Sequence, residues 1–220
     1  MKVNTLLFSF LLFLSSCFEV VEELDLKDDS SGVFTYTINM SQSKLEINTA
    51  LKLDTFMGVK IPNEFDIRRD MEKAKGIFTA IDGITSASYT VDFNNYIFIY
   101  KINFDSISAL NSALGQAYLA LSRKGNPILR DKLIMPSNIL TRVSGLDSIG
   151  RISKLNEKKK EALKEATYIC VYRFESAVTE VTNKNARTSK NGKAVMLRSN
   201  MKSLMNKETT LTNNITISKP

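Results

Sequence analysis

Any chemistry in this chain has to be done without imidazole. The 220 residues include no histidine, which removes Ser-His and Cys-His nucleophilic pairs and every His-ligated metal site. Two separated cysteines, Cys17 and Cys170, cannot build a four-cysteine zinc site. The nine glycines never fall into GxxxxGK(S/T) or GxGxxG, so neither phosphate-cradling loop is present. Carboxylate pairs and Ser-Lys dyads survive, because they need no motif visible in one sequence. Asp28-Asp29, Asp66-Asp70 and Glu157-Glu161 are such pairs, but each is explained more simply, as tether, helix-start and helix-surface charge respectively. The expectation is a chain that is not an enzyme, with no catalytic residues, no cofactor and no metal. A carboxylate-dependent hydrolase is the remaining catalytic alternative.

The reactive side chain with the most specific surroundings is Cys17. Lys2 gives a positive start, Leu6 to Leu14 (LLFSFLLFL) an apolar run interrupted only by Ser9, and Ser15 and Ser16 a small-residue end. Nine helical residues span about 13 Å, well short of the ~30 Å hydrocarbon core of a bilayer. Residues 1–16 therefore read as a signal peptide, not a permanent span. No later window offers about 20 uninterrupted apolar residues.

Leu14-Ser15-Ser16-Cys17 resembles the bacterial lipobox, in which leucine, two small residues and an invariant cysteine present a thiol for lipid transfer. The resemblance implies lipidation of Cys17 on sulfur by a diacylglyceryl group, signal cleavage between Ser16 and Cys17, and acylation of the new amino terminus with a fatty chain such as palmitate. Phe18 follows the cysteine where an aspartate would resemble an inner-membrane retention signal, so the implied location is the outer membrane, lipid-anchored, at its periplasmic face or at the cell surface. Glu19, Glu22 and Glu23 form an acidic cluster similar to the export tags of surface lipoproteins. A solvated tether explains the same residues equally well. Residues 17–32 are assigned as this lipidated acidic tether.

The remaining chain, 33–218, reads as one α+β domain with a core over 33–175 and a β extension over 176–218. Phe34, Tyr36, Ile38 and Met40 alternate as one apolar face of a first strand. Over Lys44 to Asp54 helical and strand periods disagree. After Pro62-Asn63, Ile67, Met71, Ala74, Ile77 or Phe78, and Ile81 recur at three and four, which predicts a helix ended by Asp82-Gly83. Strands over Ala87–Phe93 and Tyr96–Phe104 form a hairpin around Asn94-Asn95, the second apolar enough for a central place in a sheet. Asp105-Ser106 caps a second helix with Ile107, Leu110, Leu114, Ala117, Tyr118 and Leu121 inward. Strands follow over 167–175, 177–183, 193–199 and 209–218, with Ser189–Gly192 as the turn between the middle two. Cys170, with no partner if Cys17 carries lipid, reads as a small buried hydrophobe.

Strand, helix, strand, strand, helix, strand up to Glu175 is the ferredoxin-like (split βαβ) order, followed by an antiparallel extension. Together with the SGVFTYTINMS opening, this order resembles uncharacterised outer-membrane lipoproteins with a ferredoxin-like core. Between the second helix and the last core strand, residues 126–150 have no clean period and read as a lid, a binding loop or an edge insertion. The Lys158–Lys160 run after it reads as a solvated helix face.

Two short motifs concern modification. Asp105-Ser106-Ile107 and Asp147-Ser148-Ile149 resemble a bacterial O-glycosylation site at Ser106 and Ser148, and the first is equally a helix cap. Asn214-Ile215-Thr216 fits an N-glycosylation pattern that loses its weight in a bacterium. A net charge of +7 with scattered basic residues argues against nucleic acid as a partner. The sequence therefore points to a membrane-anchored, non-catalytic binding or assembly module with an envelope protein partner. Its alternative is a carrier of a lipid or small hydrophobic ligand, held in a pocket between sheet and helices.

Overall fold

Alternation of side chains, with a period of two, governs most of what this sequence builds. A computed structural model describes residues 18–51, 55–56, 59–60, 62–121, 132–144 and 164–218. Its first strand, β1 (Glu19–Leu26), turns Val20, Glu22, Leu24 and Leu26 inward and Glu19, Val21, Glu23 and Asp25 to the other face. β1 pairs antiparallel with β2 (Gly32–Asn39), Leu24 opposite Phe34. Between them Lys27 N–H donates to the Ser31 carbonyl at 2.9 Å, and Ser31 N–H donates to Asp29 Oδ1 at 2.8 Å. Ser30 takes the left-handed conformation that the turn demands. The expected tether over 17–32 is thus strand and turn from Glu19 onward. Burying three aliphatic side chains, each worth about 1.5–3 kcal/mol, outweighs the solvation of charges that all but Glu22 keep on the outer face or in the turn.

The ambiguous stretch after β2 resolves as a 3-10 turn (Ser41–Ser43) and α1 (Lys44–Leu51), followed by the two-residue strands β3 (Thr55–Phe56) and β4 (Val59–Lys60). Helix α2 (Glu64–Thr79) starts at Asn63, whose Oδ1 accepts from Asp66 N–H at 2.8 Å, and buries Met71, Ala74 and Phe78. The hairpin of β5 (Ile84–Asp92) and β6 (Ile97–Phe104) forms as expected, with one change in its turn. Asp92 Oδ1 accepts from both Asn94 N–H and Asn95 N–H, so the positive φ falls on Tyr96 and not on either asparagine. Helix α3 (Ile107–Leu121) follows, capped by Ser106 Oγ accepting from Ala109 N–H at 3.2 Å.

Part of the segment 126–150 is sheet: β7 (Lys132–Ile134) and β8 (Ile139–Val143). Then come β9 (Thr167–Phe174), β10 (Val178–Val181), β11 (Ala186–Thr188), β12 (Ala194–Asn200), the short helix α4 (Met201–Met205) and β13 (Asn213–Ile217). The Ser189–Gly192 turn joins β11 to β12, with Gly192 at positive φ. It does not follow β10, which belongs to a different sheet.

The large sheet has seven strands in the order β11-β12-β9-β1-β2-β6-β5, and a second has four in the order β10-β13-β8-β7. The fold is mixed α+β, strands predominating. The expected core strands β2, β5, β6 and β9 are all present, and a split βαβ arrangement orders them fourth, first, third, second, with the third strand antiparallel between the first and second. Here β2, β6 and β5 keep that order, each antiparallel to the next, but β1 lies between β2 and β9, where the first and fourth strands would pair. The sheet thus departs from the simple ferredoxin-like order at one place, where the hairpin partner of β2 separates it from β9.

Helices α2 and α3 and the four-stranded sheet share one core with the inward face of the large sheet, built on Leu24, Phe34, Ile102, Leu110, Leu140 and Leu197. Phe78 of α2 meets Tyr100 of β6 edge to face at 5.6 Å. Asn111 of α3 acts as an extra strand partner for β7, accepting from Leu133 N–H at 3.2 Å and donating to the Leu133 carbonyl at 2.5 Å.

Candidate functional site

Cys17 and Ser16, the lipidation and cleavage positions, lie outside the described residues, as do Ser148, the carboxylate pair Glu157-Glu161 and the Lys158–Lys160 run. The chain enters the described structure at Phe18, whose carbonyl accepts from Thr167 N–H at 3.0 Å. Thus β1 is fastened to β9 one residue after Cys17.

The acidic residues 19, 22 and 23 do not form one cluster. Glu19 and Glu23 share the outer face of β1, where Glu19 Oε1 meets Arg198 Nη2 at 3.3 Å and Glu23 Oε1 meets Arg173 Nη2 at 2.6 Å. Arg173 also reaches Asp25 Oδ1 at 2.9 Å. Glu22 is on the inner face and buried. A solvated run of three carboxylates, as the tether reading needs, is therefore absent: strand alternation separates the middle residue from the others.

Ser106 spends its hydroxyl oxygen on the α3 cap, the role that the sequence offers as the alternative to glycosylation. Asp66 and Asp70 both pair with Arg69 on the exposed surface of α2, at 2.8 and 3.0 Å. Asp29 is held below the usual carboxylate range, first by its hydrogen bond from the Ser31 side chain and then by that from the Ser31 backbone. Cys170 is buried in β9, opposite Glu22 in the parallel β1–β9 register.

The most concentrated buried chemistry was missed by sequence reasoning. Glu22 sits between Val20 and Leu24 on the inner face of β1, and Arg142 projects from β8 of the other sheet to meet it. Arg142 Nη1–H donates to Glu22 Oε1 and, at 2.9 Å, to the Tyr172 hydroxyl of β9. The Tyr168 hydroxyl donates to Glu22 Oε2 at 3.0 Å, and the Arg142 guanidinium lies 5.6 Å from the centre of the Tyr168 ring. Burial pushes the Tyr172 phenol well above its ordinary value, against the pull of the neighbouring Arg142 charge. Tyr172 is therefore a neutral hydroxyl at physiological pH.

This arrangement locks two sheets together. Glu22 and Arg142 are each almost fully buried and committed to one another, so Glu22 is sealed from a substrate in solution. Removing one partner of such a pair costs about 3–5 kcal/mol, because the other is left charged in a dry interior. One signal could have found it: Val20, Glu22, Leu24 and Leu26 keep strand alternation if a glutamate is accepted at an inward position.

The space between the large sheet and the helices, where a carrier would hold its ligand, is filled by Ala74, Phe78, Leu110, Ala113, Ile102 and Phe104. Among the described residues no group of three or more acidic or cysteine side chains is placed to hold a metal ion. No helix among them is long and apolar enough to cross a membrane.

No family model matches this sequence, and none of the curated proteins matches it either. Among solved structures the chain is similar to the folded domain of LppM from Mycobacterium tuberculosis, determined by NMR, with a TM-score of 0.47 and 11% identity over 94% of this chain and 94% of that one.

Proposed function

We propose that this chain is a bacterial lipoprotein, held at the outer membrane by acyl groups on Cys17, whose α+β domain acts there as a non-catalytic binding or assembly module. The observation that carries the reading is the place of β1. Residues 1–17 have the charge, apolar run and cysteine of a lipoprotein signal, and β1 begins at Glu19 as an inner strand of the seven-stranded sheet. An anchor on Cys17 is then built onto the core with about one residue of slack. Two or three acyl chains, at about 0.8 kcal/mol per buried methylene, make release from the bilayer very slow. A domain so attached is held close to its membrane, which suits an assembly role at that surface.

Membrane fractionation of the Cys17→Ala chain tests the anchor: it should leave the outer-membrane fraction and stay unprocessed or unlipidated, and normal retention with normal processing overturns the reading. Native mass spectrometry of the wild-type chain, extracted from its own membrane, tests the role. A co-isolated envelope protein supports the module, and a retained small hydrophobic ligand would favour a carrier instead.

A further inference from the structure

Beside the point where the chain enters the fold lies a groove of about 460 Å³ at the far edge of the large sheet, formed by β11, β12 and the start of α4. Lys184, Arg187 and Arg198 line it, with no aspartate or glutamate among the lining residues. Among the described residues Arg198 pairs with Glu19, while Lys184 and Arg187 make no ion pair. The exposed Met196 gives the groove one apolar contact, and the hydroxyls of Ser199 and Thr209, bonded to each other, mark its far side.

Its position is set by the register. Arg187 lies opposite Met196, on the sheet face that carries Arg198 and, across β9, Glu19. The strands β1 and β12 flank β9, so the start of β1 and the groove are separated by two strand spacings, roughly 10 Å. The ion pair between Glu19 and Arg198 bridges that gap. Both are at the same end of the sheet: Thr167 N–H bonds the Phe18 carbonyl, and Met201 N–H bonds the neighbouring Ala166 carbonyl at 2.7 Å.

We infer that this basic groove is the domain's contact with the bilayer, receiving the phosphates of anionic lipid headgroups in the leaflet that holds the anchor. The inference rests on the lipid-anchor reading. If Cys17 is at the membrane, Phe18 is within about 4 Å of it, and the groove opens at the same end of the sheet, roughly 10 Å from the start of β1, a separation of about one Debye length at 0.1 M salt. Guanidinium groups bind phosphate oxygens through paired N–H donors, and a lysine adds a point charge. The contact orients the domain: the β11 edge faces the bilayer, and the opposite edge, β5 with α2, points away from it.

The test uses the unacylated chain of residues 17–220 carrying Cys17→Ser, which keeps every described residue, sedimented with vesicles of phosphatidylcholine alone or mixed with phosphatidylglycerol. Binding is expected only to the anionic vesicles and to weaken from 50 to 300 mM salt. Lys184→Gln with Arg187→Gln should lower the affinity about thirtyfold, at about 1 kcal/mol per basic residue. Lys73→Gln with Lys75→Gln, on α2, should leave it unchanged. The inference is overturned by equal binding to both vesicle types, by no binding, or by equal losses in the two double variants. It is also overturned if millimolar inorganic phosphate displaces the vesicles, since the groove would then serve a free anion. Failure of the anchor reading shows separately, as an unlipidated Cys17 in protein from its own membrane.

Discussion

Arg142 of β8 and Glu22 of β1 form a buried ion pair between residues 120 positions apart in sequence, and it joins the four-stranded sheet to the seven-stranded one. Each charge makes the other tolerable in the interior. Glu22→Gln or Arg142→Met alone should lower the unfolding free energy by about 3–5 kcal/mol in urea denaturation. Glu22→Leu combined with Arg142→Met should recover much of that loss, because an apolar pair leaves no uncompensated charge. Single losses below about 1 kcal/mol would mean that the pair does not couple the sheets.

On the outer face of the same strand, Arg173 bridges Glu23 and Asp25 while remaining exposed to solvent. Water already solvates these charges, so Arg173→Ala should cost no more than about 1 kcal/mol, diminishing further in high salt. The contrast between this variant and Glu22→Gln, measured in the same titration, separates burial from charge as the source of the effect.

Tyr172 makes stability depend on alkaline pH in a defined direction. Burial holds its folded-state value above the ordinary phenol range, so in the native state it keeps its proton where the unfolded chain has lost it. The contribution is fully present below the unfolded value of about 10 and is lost as pH rises through the folded value. Tyr100 is raised as well, by burial first and by Tyr89 second, and acts in the same sense. Thermal melts from pH 8 to pH 12 should show stability falling above about pH 10. Tyr172→Phe should flatten that fall while costing about 1–3 kcal/mol at neutral pH through the hydrogen bond lost to Arg142.

Gly32 closes the β1–β2 hairpin where no side chain fits. A Cβ there would come within 2.2 Å of the Asp25 carbonyl oxygen and 3.0 Å of the Phe104 ring. Because the first obstacle is backbone, Gly32→Ala should destabilise by about 3 kcal/mol or more. Hydrogen exchange should show the loss first in β1, whose amides are expected to lose protection ahead of those in β5.

Much of the helical layer was legible because its period is simple. Met71, Ala74 and Phe78 mark the buried side of α2, and Ile107, Leu110 and Ala117 that of α3, as the three-and-four spacing predicts. The β5–β6 hairpin and the strands β9, β10, β12 and β13 were equally readable from alternation, whereas the three-residue β11 was too short to show a period. β1 was not, because Glu22 interrupts its apolar face and its outer face carries three further acids, a composition that also describes a solvated tether. Missing β1 made the topology look ferredoxin-like, since without it β2 and β9 become neighbours. Arg142 was hidden for a related reason: its partner lies on another sheet, and no local period can announce a pairing across 120 residues.

The most direct test of the account is protease shaving of intact cells followed by mass spectrometry of the N-terminal peptide. An acylated peptide beginning at Cys17 is the result the account predicts, whether shaving removes the chain from the cell surface or leaves it protected at the periplasmic face. A chain from the same membrane that begins elsewhere, or that carries an unmodified Cys17, would contradict the account.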